Sequence, residues 1–373
     1  MYPKVNLISD KNNILSFVLS GCNVSLANAI RRTILSDIPQ IVFKTAPIEE
    51  NKVTIHANTS NLNNEILKQR LSCIPIHIND YENFPYKNYV MEVNVENITD
   101  TVLVVTSNNF VIKDVNTNTP VSKDKMKEIF PANEYTGHYI DLVRLKPKLS
   151  DELHGEKLHL TAEFSVGTAK EDGMFNVAST ASYGFTVDDV SAGVALEKKK
   201  QQWKDEGKSK EEIDFESKNW KLLEGLRFTV KDSYDFAIGT VGVYTNNEIL
   251  DKACEVLINK LDLLDTVVEK DEMKIINSNN TMHNCYDIIL ENEDYTIGKA
   301  LEYFLHARFY ETQVLTFCGF KKMHPHDADS IIRLAYKEVV DKAYVKSNLK
   351  VVIDEAKQFF TKTRKEFLKL VKN

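Results

Sequence analysis

A strand–turn–helix pattern occurs twice in this 373-residue chain, and the repetition limits the folds open to it more than any other feature. Near the N-terminus, Ile14-Leu-Ser-Phe-Val-Leu-Ser20 has the length and apolar content of a strand. Asn23-Val24-Ser25 follows as a turn. Leu26, Ala29, Ile30, Thr33 and Ile34 then fall at helical spacing, with Ser25 as the expected N-cap. Ile38-Pro39 ends the helix, because the residue before a proline avoids helical geometry. Late in the chain, Tyr286–Asn292 reads as a strand, Glu293-Asp294-Tyr295 as a turn and Thr296–Leu305 as a helix capped by Thr296. A gapless offset of 271 residues relates Leu19 to Leu290 and Ser25 to Thr296. It also places Leu26 with Ile297, Ala27 with Gly298, Ala29 with Ala300 and Ile30 with Leu301. Small residues recur where close helix packing needs them.

Each copy continues alike. Leu226–Val230 and Ala237–Val243 read as strands, followed by a helix from about Asn246 to Leu264 with Leu250, Ala253, Cys254, Leu257, Leu261 and Leu264 on one face. In the second copy Ile331–Tyr336 reads as a strand. A helix from about Asn348 to Val371 carries Val352, Ala356, Phe359, Phe360, Phe367 and Leu370. A small sheet with two helices on one face is an α+β layer that needs a cover, and two such units in one chain can cover each other. The fold expected is α+β: two dimerisation subdomains forming an intramolecular pseudo-dimer, the first interrupted by a β-rich insert. The boundaries are 1–45 and 177–266 for the first subdomain, 46–176 for the insert, 267–284 for a linker and 285–373 for the second. Within the insert, Tyr89–Val95, Leu103–Thr106 and Lys157–Ala162 alternate as strands, and one helix spans about Asn63–Ser72. Leu196–Lys221 is mostly charged and reads as a solvated helix or a mobile excursion.

Composition narrows the function. The net charge is −7, whereas a protein that grips many phosphates needs a basic face. A protein partner is therefore expected rather than direct contact with DNA or RNA. Cys22, Cys73, Cys254, Cys285 and Cys318 include no Cys-x-x-Cys pair, so neither a disulfide framework nor a structural metal is expected. His324-Pro-His326 has no third ligand nearby. Glu49-Glu50 and Asp188-Asp189 lack an accompanying nucleophile, and no Gly-rich phosphate loop occurs. Lys198-Lys-Lys200 is closely followed by acids and reads as a solvated face. A small hydrolase and a freestanding nucleic-acid-binding module are the competing classes. Turnover on generic substrates would favour the first, a salt-dependent DNA shift the second. No apolar run reaches membrane-spanning length, and Met1–Asp10 lacks a secretory pattern, so an intracellular protein is expected. The scattered cysteines and missing motifs lead to the expectation of no metal or cofactor.

Three motifs carry a family resemblance. Asn23-Val-Ser-Leu-Ala-Asn-Ala-Ile-Arg-Arg-Thr-Ile-Leu35, ending at Ile38-Pro39, resembles the N-terminal helix of the alpha-type assembly subunits of multisubunit RNA polymerases. Asn64-Glu-Ile-Leu-Lys-Gln-Arg-Leu-Ser-Cys-Ile-Pro75 resembles a motif of the large partner in that family. Glu293-Asp-Tyr-Thr-Ile-Gly298 and Cys318-Gly-Phe-Lys-Lys-Met-His-Pro325 resemble the small partner's signature. The insert lacks the family's cysteine cluster, and Phe175 stands where a tryptophan is common.

The resemblance implies a non-catalytic scaffold that nucleates docking of the second-largest and then the largest polymerase subunit. DNA and RNA would be touched only through the complex, and small zinc-binding subunits are further candidate partners. It also implies a fusion of large and small partners, as in large DNA viruses, where the site of action would be the host cytoplasm or viral factory and the virion. Arg31, Arg32 and Arg70 are the expected contacts to the second-largest subunit: one of the adjacent pair in a bidentate ion pair, and Arg70 as either a second anchor or a local salt bridge. Leu26, Ala29, Ile30, Ile297, Ala300, Leu301 and Phe304 are the expected intramolecular dimer interface.

Overall fold

The computed structural model describes residues 2–148, 150, 152 and 154–371. Its strands are β1 (Lys4–Lys11), β2 (Ile14–Ser20), β3 (Gln40–Val42), β4 (Val53–Asn58), β5 (Tyr89–Glu96), β6 (Leu103–Thr106), β7 (Val111–Asp114), β8 (Asp141–Leu145), β9 (Lys157–Glu163), β10 (Ser165–Gly167), β11 (Ala178–Val187), β12 (Thr229–Thr240), β13 (Ile275–Asn277), β14 (Cys285–Leu290), β15 (Leu315–Lys321) and β16 (Ser330–Tyr336). The helices are α1 (Val24–Ser36), α2 (Asn64–Ser72), α3 (Lys123–Ile129), α4 (Asp189–Asp205), α5 (Lys210–Leu222), α6 (Asn246–Glu269), α7 (Tyr295–Leu305) and α8 (Lys342–Val371). The chain forms two compact units, one of Met1–Ile34, Thr180–Gly239 and Leu250–Asn373, the other of Leu35–Ser179 and Thr240–Ile249. Among the described residues no helix is long and apolar enough to cross a membrane.

The first unit contains two four-stranded sheets of matching order, β1-β2-β12-β11 and β13-β14-β16-β15. The strands β2 and β14, related by the 271-residue offset, each stand second in their sheet. Each pairs antiparallel with the strand on either side. In both copies the strand leads into its helix through a residue in the left-handed region: Gly21 at φ 73° and, at the matching position, Asn292 at φ 56°. The two caps also match, but they lie two residues earlier than Ser25 and Thr296. Asn23 Oδ1 accepts from Ser25 N–H at 2.9 Å, and Asp294 Oδ1 accepts from Thr296 N–H at 2.8 Å. A short side-chain acceptor placed just ahead of the first turn satisfies amides that have no partner inside the helix.

Other elements differ from expectation for identifiable reasons. Leu226–Val230 and Ala237–Val243 are not two strands. Glu224–Arg227 is a single 3-10 turn, and the continuous strand β12 runs Thr229–Thr240. β1 escapes a periodicity search because its residues are largely exposed. It forms because Asn12 and Asn13, at φ 54° and 60°, give the turn that matches strand twist. β15 escapes because its register slips between Leu315 and Phe317. The charged stretch after β11 is a pair of helices, α4 and α5, and α8 begins at Lys342. Leu370, expected on the apolar face of α8, has a side chain outside the described residues.

The second unit is built on the antiparallel sheet β4-β9-β5-β7, with the two-stranded sheets β10-β3 and β6-β8 beside it. Met91, Val93, Leu158 and Leu160 of the large sheet share a core with Leu67 and Leu71 of α2. The alternating burial along β9 explains why these strands were readable from period alone.

One polar feature of the second copy's sheet has a calculable pH dependence. Arg333 of β16 sits directly across from Asp287 of β14 and donates to both its carboxylate oxygens at 2.7 Å. The arginine holds the Asp287 carboxyl below the usual carboxylate range. A carboxyl whose folded pKa lies below its unfolded one stabilises the fold above the unfolded value and loses that contribution as pH falls through the folded value. Asp287→Asn is expected to cost about 2–3 kcal/mol near pH 7, because it leaves the half-buried guanidinium without its counter-charge. In thermal melts across the acid range, the gap between wild type and variant should begin to close below about pH 4 and continue closing as pH falls further.

Gly21 supplies a second test. A Cβ at this position would stand 2.4 Å from the Tyr2 carbonyl oxygen, and the backbone there is left-handed. Gly21→Ala is expected to destabilise by about 2–4 kcal/mol. Asn292→Ala, at the matching turn, should cost only about 1–2 kcal/mol. Denaturant titration of the two variants checks the difference.

Candidate assembly interface

The helix α1 carries two adjacent arginines, so their side chains leave the axis about 100° apart. The structure gives them different tasks. Arg32 reaches the start of α7: its Nη2 donates to Asp294 Oδ2 at 2.8 Å, and its Nε donates to Thr296 Oγ1 at 2.9 Å. The acceptor Asp294 is also the cap of α7, so one carboxylate orders a helix terminus and receives a cation from the other copy. The position matching Arg32 in α7 is Tyr303, whose phenol pKa is raised by burial first and by the carboxylate of Asp232 second.

Arg31 makes one side-chain hydrogen bond among the described residues, from Nε to Asn28 Oδ1 at 2.9 Å on its own helix. It is half-buried, and its charge acts on Tyr183 of β11. The terminal nitrogens of its guanidinium keep donors in hand. Arg70 belongs to the second unit. Its Nε and Nη2 donate to the backbone carbonyls of Leu142 and Asp141, both at 2.7 Å, so this guanidinium clasps strand β8.

Leu26, Ala29, Ile30, Ile297, Ala300, Leu301 and Phe304 are all buried, none more than 7% exposed. An aromatic contact joins the copies at Phe17 of β2, which stacks on Phe236 at 5.1 Å and packs T-shaped with Phe367 of α8 at 5.5 Å.

A second set of contacts was not read from the sequence. α6 and α8 run antiparallel and are joined by ion pairs along their length. Arg364 donates to both oxygens of Asp251 at 2.6 and 2.8 Å and lies 3.6 Å from Glu255. Lys357 meets Asp265 at 2.7 Å and Asp262 at 3.2 Å. Lys350 meets Glu269 at 2.5 Å, and Lys346 pairs with Asp271 just beyond α6. Burial works against the charge on Lys357, but its three aspartates outweigh it and the pKa is raised. The signal was present in the seven-residue spacing of Lys350, Lys357 and Arg364. Spacing alone did not say which helix faced them.

Cys22 and Cys318 are pushed up to about 12 by burial, which keeps both thiols protonated. His324 and His326 lie exposed in one loop, His324 Nδ1 accepting from the His326 amide. Among the described residues no group of three or more His, Cys, Asp or Glu is placed to hold a metal ion.

Residues 16–261 match the family described as the RNA polymerase Rpb3/Rpb11 dimerisation domain. The chain is 27% identical over 311 residues to the human DNA-directed RNA polymerases I and III subunit RPAC1, covering 71% of this chain and 85% of the relative. It is 27% identical over 202 residues to the Arabidopsis thaliana DNA-directed RNA polymerases IV and V subunit 3B, covering 50% of this chain and 58% of the relative. A shorter stretch of 73 residues is 40% identical to the Pyrococcus furiosus DNA-directed RNA polymerase subunit Rpo3, covering 20% of this chain and 25% of that one.

The geometry around Arg32 predicts a stability role. Arg32→Ala should destabilise by about 1–2 kcal/mol, a figure discounted because both partners are partly exposed. Arg31→Ala should leave the melting temperature within about 1 °C of wild type. Differential scanning calorimetry of the two single variants separates them.

Proposed function

The chain belongs to the RNA polymerase Rpb3/Rpb11 dimerisation-domain family, and on that footing we propose that it is a non-catalytic assembly subunit of a DNA-directed RNA polymerase whose two repeats are the halves of one fused dimer. Residues 1–45 and 177–266 serve as the large partner's dimerisation subdomain, 46–176 as its insert, 267–284 as the linker, which also lends the edge strand β13 to the second sheet, and 285–373 as the small partner. The observation that carries this reading is the Arg32–Asp294 contact, in which the helix of one repeat is tied to the cap of the equivalent helix of the other. The ion pairs between α6 and α8 and the Phe17–Phe367 contact support it from two further sides.

Fusion makes dimerisation intramolecular, at an effective concentration of about millimolar for a linker that spans the gap. It also fixes the two halves at one to one. The finished body recruits the second-largest polymerase subunit first and the largest next, and small zinc-binding subunits dock on the insert. Nucleic acid is reached only through those partners. The protein works inside the cell; fusion of this kind fits a large DNA virus, which would place it in the host cytoplasm or viral factory and in the virion.

Within this reading the two arginines of α1 divide the work. Arg32 serves the intramolecular contact and Arg31 faces the second-largest subunit, where its uncommitted N–H donors meet a carboxylate. Arg70, already clasping β8, shapes the insert and contacts a partner only at its margin.

The test is affinity purification of the tagged chain, with identification of what co-purifies. The two largest polymerase subunits are expected, and their absence from a folded, soluble chain would falsify the assignment. Arg31→Ala should weaken capture of the second-largest subunit by about 2–5 kcal/mol, because it leaves a buried interfacial carboxylate unpaired. That corresponds to a loss of about one and a half to nearly four decades in affinity. Wild-type capture by a normally melting Arg31→Ala protein would move the docking face elsewhere.

A further inference from the structure

The two repeats share a strand order and a helical layer. A surface on one repeat that fits its companion by shape therefore also fits the same surface on another chain. Apolar stripes discriminate weakly between such options. Leu257 and Leu261 of α6 and Val352 and Phe360 of α8 are all fully buried aliphatic or aromatic side chains, which tolerate one another in many pairings. What differs between the helices is charge. In every ion pair recorded between them among the described residues, the acid comes from α6 or the turn after it and the base from α8.

We propose that this segregation of acid on α6 and base on α8 selects which repeat pairs with which, admitting first-with-second and rejecting first-with-first and second-with-second between chains. The inference rests on the reading that the repeats form one dimer. The individual pairs are too exposed to add much stability, since the side chains involved range from 16% to 57% exposed for Lys357, Asp265 and Asp262. Their effect lies in the alternatives they penalise. Two α6 helices face to face would set Asp251, Asp262 and Asp265 against their own copies, and two α8 helices would set Lys350, Lys357 and Arg364 against theirs. Charges flanking an apolar helix seam set partner choice and orientation in this way. For a chain carrying both halves the penalty matters twice over, because like-with-like pairing leaves each chain with an unused half and propagates into open-ended assemblies.

The experiment uses the full chain in three forms: α6 reversed (Asp251→Lys, Asp262→Lys, Asp265→Lys, Glu269→Lys), α8 reversed (Lys350→Glu, Lys357→Glu, Arg364→Glu), and both together. Melting temperature and solution mass are measured for each, and for an equimolar mixture of the two one-sided forms. Each one-sided form is expected to melt about 5–10 °C below wild type. The doubly reversed form should recover to within about 2 °C and remain a single chain in mass. The mixture should yield a species of twice the chain's mass, because each form supplies the charge the other lacks. Failure of the double reversal to recover stability overturns the proposal. Recovery without the double-mass species also overturns it, since the charges would then act only within a chain.

Phe367→Ala keeps the two readings apart. Phe367 meets Phe17 across the repeats, so its loss should lower the melting temperature by about 5–15 °C whatever the charges do. If Phe367→Ala melts like wild type, the pairing of the repeats is wrong. If it melts low while the double reversal fails to rescue, the pairing stands and the charge selection falls.

Discussion

The contact on which the first unit most depends is the edge-on approach of Phe367 to Phe17. Phe17 is fully buried in the centre of β2 and already stacked on Phe236 of the neighbouring strand. One face of the ring is thereby used, and the T-shaped contact comes from a helix that lies more than three hundred residues later in the chain. A sheet with two helices on one face leaves apolar surface that something must exclude from water. Here α8 supplies the exclusion with Phe359, Phe360 and Phe367 along one side, none more than 3% exposed. The hydrophobic term so obtained is large but directionless. Any amphipathic helix of similar volume would draw on it.

Direction comes from the polar contacts. Arg32 meets Asp294 and Thr296 together at the head of α7, which fixes where that helix starts relative to α1. Arg364 can engage both oxygens of Asp251 only with α6 and α8 antiparallel and in one register. These are weak contributors to stability and strong contributors to geometry, a division common where apolar burial supplies most of the free energy. Arg31, one residue from Arg32, shows how sharply helical rotation separates such roles: a step of about 100° takes a side chain from the companion repeat to its own helix face.

Much of this was legible in the sequence, and the omissions have physical causes. The strand at Ile14–Ser20 and the helix after it declare themselves because burial alternates with period two and then recurs with the helical period. The caps were read two residues late, since Ser25 and Thr296 are themselves good capping residues. The choice fell to Asn23 and Asp294 because the chain leaves the left-handed position at Gly21 and Asn292 so soon before them. β1 and β15 were invisible because an edge strand with exposed or slipped residues has no period to detect. Arg32 was grouped with Arg31 as a contact for another subunit. That Asp294 is its partner could not be read from residues more than 250 positions apart, because sequence reports residue type and spacing but not which distant groups meet.

The helices α4 and α5 leave the first sheet from the end of β11 and return to the start of β12, two strands that are neighbours in that sheet. The exit and re-entry are pinned together by a hydrogen bond from the Asp188 amide to the Phe228 carbonyl at 2.8 Å. With its ends already held side by side, the excursion imposes on the sheet only a closure condition, and the entropy of closing a loop grows slowly with its length. This stretch can therefore lengthen, shorten or accept foreign sequence over evolutionary time while the strands beneath keep their register. It marks a point in the molecule where new surface can be acquired with little disturbance to the old.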